Sequence, residues 1–185
     1  MALLVTPAPD TTMKAPDFDL ESCDGPSYTY NDIAGKKGTV VMFICNHCPY
    51  VQGIADRLPE EVAHLKNAGI GVVAIMPNDT ESHPEDDIDH MKTFAHKHSF
   101  NFPYLIDHTQ DVAKSFGAVC TPDFFGFDKN KNLVYRGRLD SAGHQKADPT
   151  TEPELRNAML ALAENQGALM TEQVPSMGCS IKWRE

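Results

Sequence analysis

Two unbroken apolar runs, GTVVMFIC at 38–45 and IGVVAIM at 70–76, dominate the pattern of the chain. Their β-branched content and the lack of polar alternation predict strands buried on both faces. The segment between them ends as a helix at Lys66 to Gly69, and two buried strands joined through a helix make a parallel βαβ unit. Residues 84–98, PEDDIDHMKTFAHKH, place Ile88, Met91, Phe94 and Ala95 on one helical stripe. Pro84 suits the first turn, the acids at 85 to 87 complement the positive end, and Lys92, Lys97 and several histidines lie toward the negative end. FPYLID predicts a short strand, and TQDVAKSFG a short helix closed by Gly117. FFGFD and LVYRGRLD, separated by the turn residues KNKN, form an antiparallel hairpin. The capping-box spacing Thr151-x-x-Glu154 starts a last helix through Leu155, Met159 and Leu162 to Gly167. Ahead of all these, APDFDL and CDGPSYTYNDIAG alternate extended stretches with turns, as a small hairpin or edge layer does. GHQKADPTTEP is a flexible connection, and no repeat interrupts the order. The result is an α/β layer with a mixed sheet.

At 185 residues, with 41% hydrophobic and 23% charged positions, the chain suits one well-buried domain. The division expected is a loose segment at 1–13, a domain at 14–167 and a tail at 168–185 that packs on the body or on a neighbouring subunit of a homodimer. A formal charge of −10 repels phosphate backbones and anionic lipid, so nucleic-acid and membrane-surface partners are not expected. The start MALLVTPAPDTTMK has neither the basic nor the apolar part of a signal peptide, which points to the cytoplasm. Five cysteines without regular spacing make no disulfide framework; a CxxC pair in a reducing compartment suggests redox chemistry or metal binding.

That pair is Cys45 and Cys48, in FICNHCPYV. Pro49 disfavours the helical region for Cys48 and suits a first helical position, so Cys48 becomes the helix cap. Free backbone amides there can lower a thiol pKa from about 8.5 into the range of roughly 3.5 to 7.5. Cys48 is therefore expected to attack, and Cys45, one turn earlier, to resolve. The reverse order is the alternative assignment. His47 tunes the thiolate or faces solvent. A zinc or copper site on Cys45, Cys48 and His47 is the competing use of the same residues; the favoured reading needs no metal and no organic cofactor.

APDFDL, the following DG, the buried strand running into a cysteine at a helix start, and Thr121-Pro122 ahead of FFGFD together resemble the redoxin branch of the thioredoxin superfamily over about residues 14–165. That branch includes the alkyl hydroperoxide reductase/thiol-specific antioxidant proteins and thiol-disulfide oxidoreductases. More narrowly, CNHCPYV, YRGRLD and GCSIKW resemble a peroxiredoxin-like group. The resemblance implies a thioredoxin-like fold, a central mixed β-sheet flanked by helices with an N-terminal β-hairpin extension. It implies a cis-proline at Pro122 beside the active cysteine, with the Thr121 backbone open to pair with an extended partner. Thr121, Pro122, His47 and Pro49 are the substrate-contacting candidates. Peroxiredoxins carry a hydroxyl three residues before the attacking cysteine and an arginine across the pocket. Here Cys45 holds the first place and Thr121-Pro122 the second, leaving Arg136 or Arg138 to substitute. Loss of such donors costs on the order of 10²-fold, so the expectation is a thiol-disulfide oxidoreductase served by a protein thiol partner or a thioredoxin-type reductant. Hydroperoxide reduction is the alternative, and copper or zinc binding the second alternative, although Gln52 stands where copper-chaperone relatives keep a second cysteine. Cys120, Arg138 and Cys179 are accessory candidates, and Cys23 is incidental. Pro59 kinks the helix after Cys48 or begins a new one. His90, His96 and His98 read as a solvated face.

Overall fold

The computed structural model describes residues 2–164 and 173–184. The elements run β1 (Leu3–Val5), β2 (Asp19–Glu21), β3 (Ser27–Thr29), α1 (Tyr30–Ile33), β4 (Gly38–Phe43), α2 (Pro49–Gln52), α3 (Leu58–Asn67), β5 (Ile70–Met76), α4 (Ile88–Lys97), β6 (Tyr104–Ile106), α5 (Asp111–Phe116), β7 (Cys120–Thr121), β8 (Asp123–Asp128), β9 (Leu133–Gly137), α6 (Glu154–Ala163) and β10 (Met177–Ser180). The main sheet has the order β6-β5-β4-β8-β9. β4, β5 and β6 are parallel, and β8 and β9 are antiparallel to their neighbours. This is the mixed α/β sheet that the two apolar runs predict, with β4 at its centre and all six of its residues buried.

Because successive strand residues face opposite ways, the sheet divides the core in two. Val40, Met42, Val72 and Ala74 face Leu58, Val62 and Leu65 of α3 and Leu155 and Met159 of α6. Val41, Phe43, Val73 and Ile75 face Phe116 of α5, Tyr30 of α1 and the aromatic residues Phe125 and Phe127. Phe43, Phe116 and Phe125 meet edge to face at 5.4 to 5.8 Å, a geometry aromatic rings prefer. CxxC begins where β4 leaves this sandwich, so one of the most buried strands of the molecule fixes its position.

Several local expectations change. The helix expected over 84–98 is two elements: Pro84–Asp86 form a 3-10 turn, Asp87 turns extended, and its side chain caps α4 by accepting from His90 N. Thr151 and Glu154 form no capping box. Thr151 Oγ1 accepts instead from Asp148 N at 2.9 Å, and Pro153 holds the cap position of α6. The expected end of that helix at Gly167 lies outside the described residues. Pro59 begins a new helix, sitting in the first turn of α3 after a 3-10 turn at Ala55–Arg57. Cys23 lies in a turn but is buried, its amide bonded to Tyr104 O. Two of the three histidines read as a solvated face meet acids: His90 Nδ1 lies 2.8 Å from Asp87 and His98 Nδ1, just after α4, lies 2.6 Å from Asp56.

The largest difference is at the two ends. Leu3–Val5, within the segment expected to be loose, pairs antiparallel with β10, and β10 pairs in turn with β7. The tail thereby lies against the strand that carries Thr121.

Candidate active site

β4 delivers Cys45 to the bottom of the site, and Cys48 caps α2 with Pro49 as the first helical residue, as Pro49 requires. Cys48 holds the cap position without a side-chain cap hydrogen bond, and α2 is four residues long. Both cysteines have 0% of their surface exposed.

Other sulfurs act on Cys48 ahead of the amides, with the backbone N–H groups of Cys179 and Val51 adding smaller contributions. Cys48 Sγ is 2.8 Å from Cys179 Sγ and 3.1 Å from Thr121 O. Cys45 Sγ is 3.2 Å from Thr121 Oγ1. The S–H donor of Cys45, with that of Cys179 behind it, pushes the Cys48 thiol down to about 5 against the opposing effect of burial. Hydrogen bonds to the charged form outweigh desolvation here. The Thr121 carbonyl favours the protonated thiol, but it is one acceptor against two S–H donors and the backbone N–H groups of Cys179 and Val51. Burial and the donation to Cys48 push Cys45 well above its ordinary range, while the Thr121 hydroxyl pulls weakly the other way. Burial and the same kind of donation push Cys179 up to about 12. One sulfur ionises and its two neighbours keep their protons.

His47 is held rather than solvated. Its Nδ1 meets Asp86 Oδ2 at 2.7 Å, and Asp86 also accepts from Asn46 N at 2.8 Å and Asn78 Nδ2 at 2.7 Å. Burial would raise the Asp86 carboxyl, yet the His47 ring and these donors hold it below the usual range. The bond to Asp86 raises His47 in return. Replacing Asp86 by asparagine is expected to move the His47 midpoint down toward about 6.5, followed as the ring-proton titration by NMR; an unmoved midpoint would mean that Glu85 carries the effect. Asp86, Asn46 and Asn78 were not singled out by the sequence. Asp86 looks there like one more acid at a helix start.

Cys45, His47 and Asp86 offer ligand atoms within 4.8 Å of one another, so a cation site would use Asp86 where the sequence suggested Cys48. Their present bonds compete with that use: Asp86 is committed to His47, and Cys45 holds its proton.

The remaining candidates separate. The Thr121–Pro122 peptide is cis. Thr121 touches both cysteines of the motif, but its backbone is not open: it pairs with Cys179 of β10. Cys120 is buried with its sulfur 3.8 Å from Pro122 O, and burial raises its pKa. Arg136 lies opposite Phe125 on the aromatic face of the sheet and binds Asp123 and Gly117 O. Arg138 grips Glu154 through two bonds of 2.7 and 2.8 Å. It lines a cavity of about 290 Å³ with Tyr50, Pro122, His144 and Met177. Among the described residues, no guanidinium hydrogen-bonds to Cys45 or Cys48.

The model of the AhpC/TSA family matches residues 11–136. The chain belongs to that family. A crystal structure of an uncharacterized conserved protein from Geobacillus kaustophilus superposes with a TM-score of 0.93 at 39% identity, covering 100% of this chain and 97% of the other. The thiol-disulfide oxidoreductase ResA of Bacillus cereus is 22% identical over 121 residues, 65% of each chain. The peroxiredoxin Bcp of Escherichia coli is 28% identical over 112 residues, 60% of this chain and 67% of Bcp. The matched part is thus about two thirds of the length of these relatives. The AhpC/TSA fold of this chain is thioredoxin-like, with the mixed central sheet flanked by helices. No helix among the described residues is long and apolar enough to cross a membrane.

Proposed function

We propose that this chain is a thiol-disulfide oxidoreductase in which Cys48 attacks and Cys45 resolves. The observation that carries the reading is the placement of Cys48 Sγ, which lies against the Cys179 thiol and Thr121, takes the Cys45 thiol as a donor, and among the described residues bonds to no cation. Disulfide exchange requires a thiolate and a neighbouring thiol, whereas O–O cleavage gains from a fixed cation, and among the described residues no guanidinium bonds the attacking sulfur. The Cys48 thiolate attacks one sulfur of a substrate disulfide, forming a mixed disulfide and releasing the other sulfur as a thiolate. Cys45 then attacks the Cys48 sulfur and expels the second thiolate, which takes up the Cys45 proton. Two electrons pass to the substrate, and a Cys45–Cys48 disulfide remains for a thioredoxin-type reductant.

Hydroperoxide reduction is the second reading, favoured by the full burial of Cys48, which admits a small oxidant more readily than a folded protein. Reduced protein mixed with insulin disulfides, and separately with hydrogen peroxide, decides between them. Insulin reduction, together with a mixed disulfide trapped on Cys48 in the Cys45→Ser/Cys179→Ser variant, is the expected result. Fast peroxide consumption without insulin reduction selects the second reading.

A further inference from the structure

The edge of β7 that could receive a partner backbone is filled by the chain itself. β10 runs antiparallel to β7, with Cys179 opposite Thr121 and Ser180 opposite Cys120. In strand addition, backbone bonds supply affinity while side chains on one face enter the site. β10 has both features, and the side chain it presents is a thiol 2.8 Å from the Cys48 sulfur. That separation is less than one ångström beyond the S–S bond of about 2.05 Å.

The strand is fitted and fastened around this contact. At Gly178 a Cβ would lie 2.0 Å from Thr121 O, so only glycine allows the approach. On one side, Ser176 Oγ donates to Pro122 O at 2.7 Å, and Ser176 N donates to Thr6 Oγ1 at 3.0 Å. On the other, Lys182 N donates to Asn78 Oδ1 at 2.9 Å, and Lys182 O accepts from Asp79 N at 2.9 Å. Asn78 is the residue that also binds Asp86, so the tail and the CxxC loop share a support.

We propose that β10 is a tethered substrate of this site: Cys179 exchanges with the Cys45–Cys48 disulfide, and the oxidised resting chain carries a Cys48–Cys179 bond with Cys45 free. This rests on the thiol-disulfide reading above. In the exchange, the Cys179 thiolate attacks the Cys48 sulfur. The Cys48–Cys179 bond forms, the Cys45–Cys48 bond breaks, and Cys45 leaves as a thiolate that takes the proton Cys179 has given up. No electrons enter or leave, because the only oxidant is the internal disulfide, itself made by an external one. A protein substrate then has to displace β10 to reach Cys48, whereas a small disulfide needs only to reach the sulfur.

The test adds one equivalent of 2-hydroxyethyl disulfide to the reduced full chain, quenches in acid, alkylates and maps the peptides. The expected map shows Cys48 linked to Cys179 and Cys45 alkylated. Cys45→Ser, which leaves the tail intact, is expected to give the same Cys48–Cys179 link, and Cys179→Ser to give Cys45–Cys48. Two results overturn the proposal and leave the thiol-disulfide reading standing. One is a wild-type map with only Cys45–Cys48 and alkylated Cys179; the other is a Cys45→Ser variant that keeps the hydroxyethyl adduct on Cys48. A chain whose Cys48 takes up no probe overturns both.

Discussion

Cys48→Ser is expected to abolish disulfide reduction and to lack the thiolate ultraviolet absorbance expected of the wild type at pH 6, whereas Cys45→Ala keeps a thiolate but moves its midpoint up from about 5. The size of the second effect follows from its cause. A hydrogen bond to a charged group is worth about 1.5–3 kcal/mol, and one pKa unit is about 1.4 kcal/mol, so losing the Cys45 donor raises the midpoint by about one to two units. Near pH 6 that turns a mostly ionised sulfur into a partly or mostly protonated one, and alkylation slows by up to about tenfold. Cys45→Ser separates donor from redox partner: its hydroxyl can still donate, so its midpoint stays nearer the wild-type value although no CxxC disulfide can form. Absorbance titration reads ionisation without requiring a reagent to enter the buried site. An unchanged midpoint in Cys45→Ala would transfer the effect to the helix end or to Cys179.

The contrast between amide and thiol donors marks where the sequence is legible. β4 and β5 follow from residues close together in the chain, because a continuous apolar run rich in β-branched side chains has few other uses. The place of Cys48 follows from Pro49 for the same reason. Only part of what stabilises its charge does: Cys45 is three residues away, but Cys179, the second S–H donor, lies far along the chain and reaches the site through the pairing of β10 with β7. MGCS has no alternating pattern, and it is a strand because an edge with unpaired backbone groups receives it. Asp86 is illegible in a different way: three consecutive acids suit a helix start, and the sequence cannot tell that Asp87 caps α4 while Asp86 turns inward to His47. Thr151-x-x-Glu154 shows the opposite error, a local pattern satisfied on paper whose threonine is taken by the turn at Asp148.

Arg136, one of the two arginines that the sequence offers to the thiol site, acts elsewhere, and Arg136→Met should destabilise the chain by about 3–5 kcal/mol near pH 7, the cost of breaking one side of a buried ion pair. Arg136 Nη2 is 2.9 Å from Asp123 Oδ2, and the two side chains are 6% and 0% exposed. Burial lifts the Asp123 carboxyl to about 6, even with the guanidinium pulling it down. An unfolded aspartate ionises near 3.9, so the folded chain holds this proton more tightly than the unfolded one. The contribution of the carboxyl to stability is therefore full below about pH 4 and is lost as pH rises through 6. Without Arg136 the folded pKa rises further, and the loss continues to higher pH. At pH 4, where Asp123 is protonated in both chains, the variant lacks the bond to Gly117 O and the contact over the Phe125 ring, each worth about 1 kcal/mol. Denaturant midpoints of wild type and variant at pH 4 and pH 7 measure the difference, and an equal loss at both would rule out Asp123 as its source. Adding Asp123→Leu to Arg136→Met is expected to recover most of the pH 7 loss, because an apolar pair of similar volume leaves no buried charge without its partner.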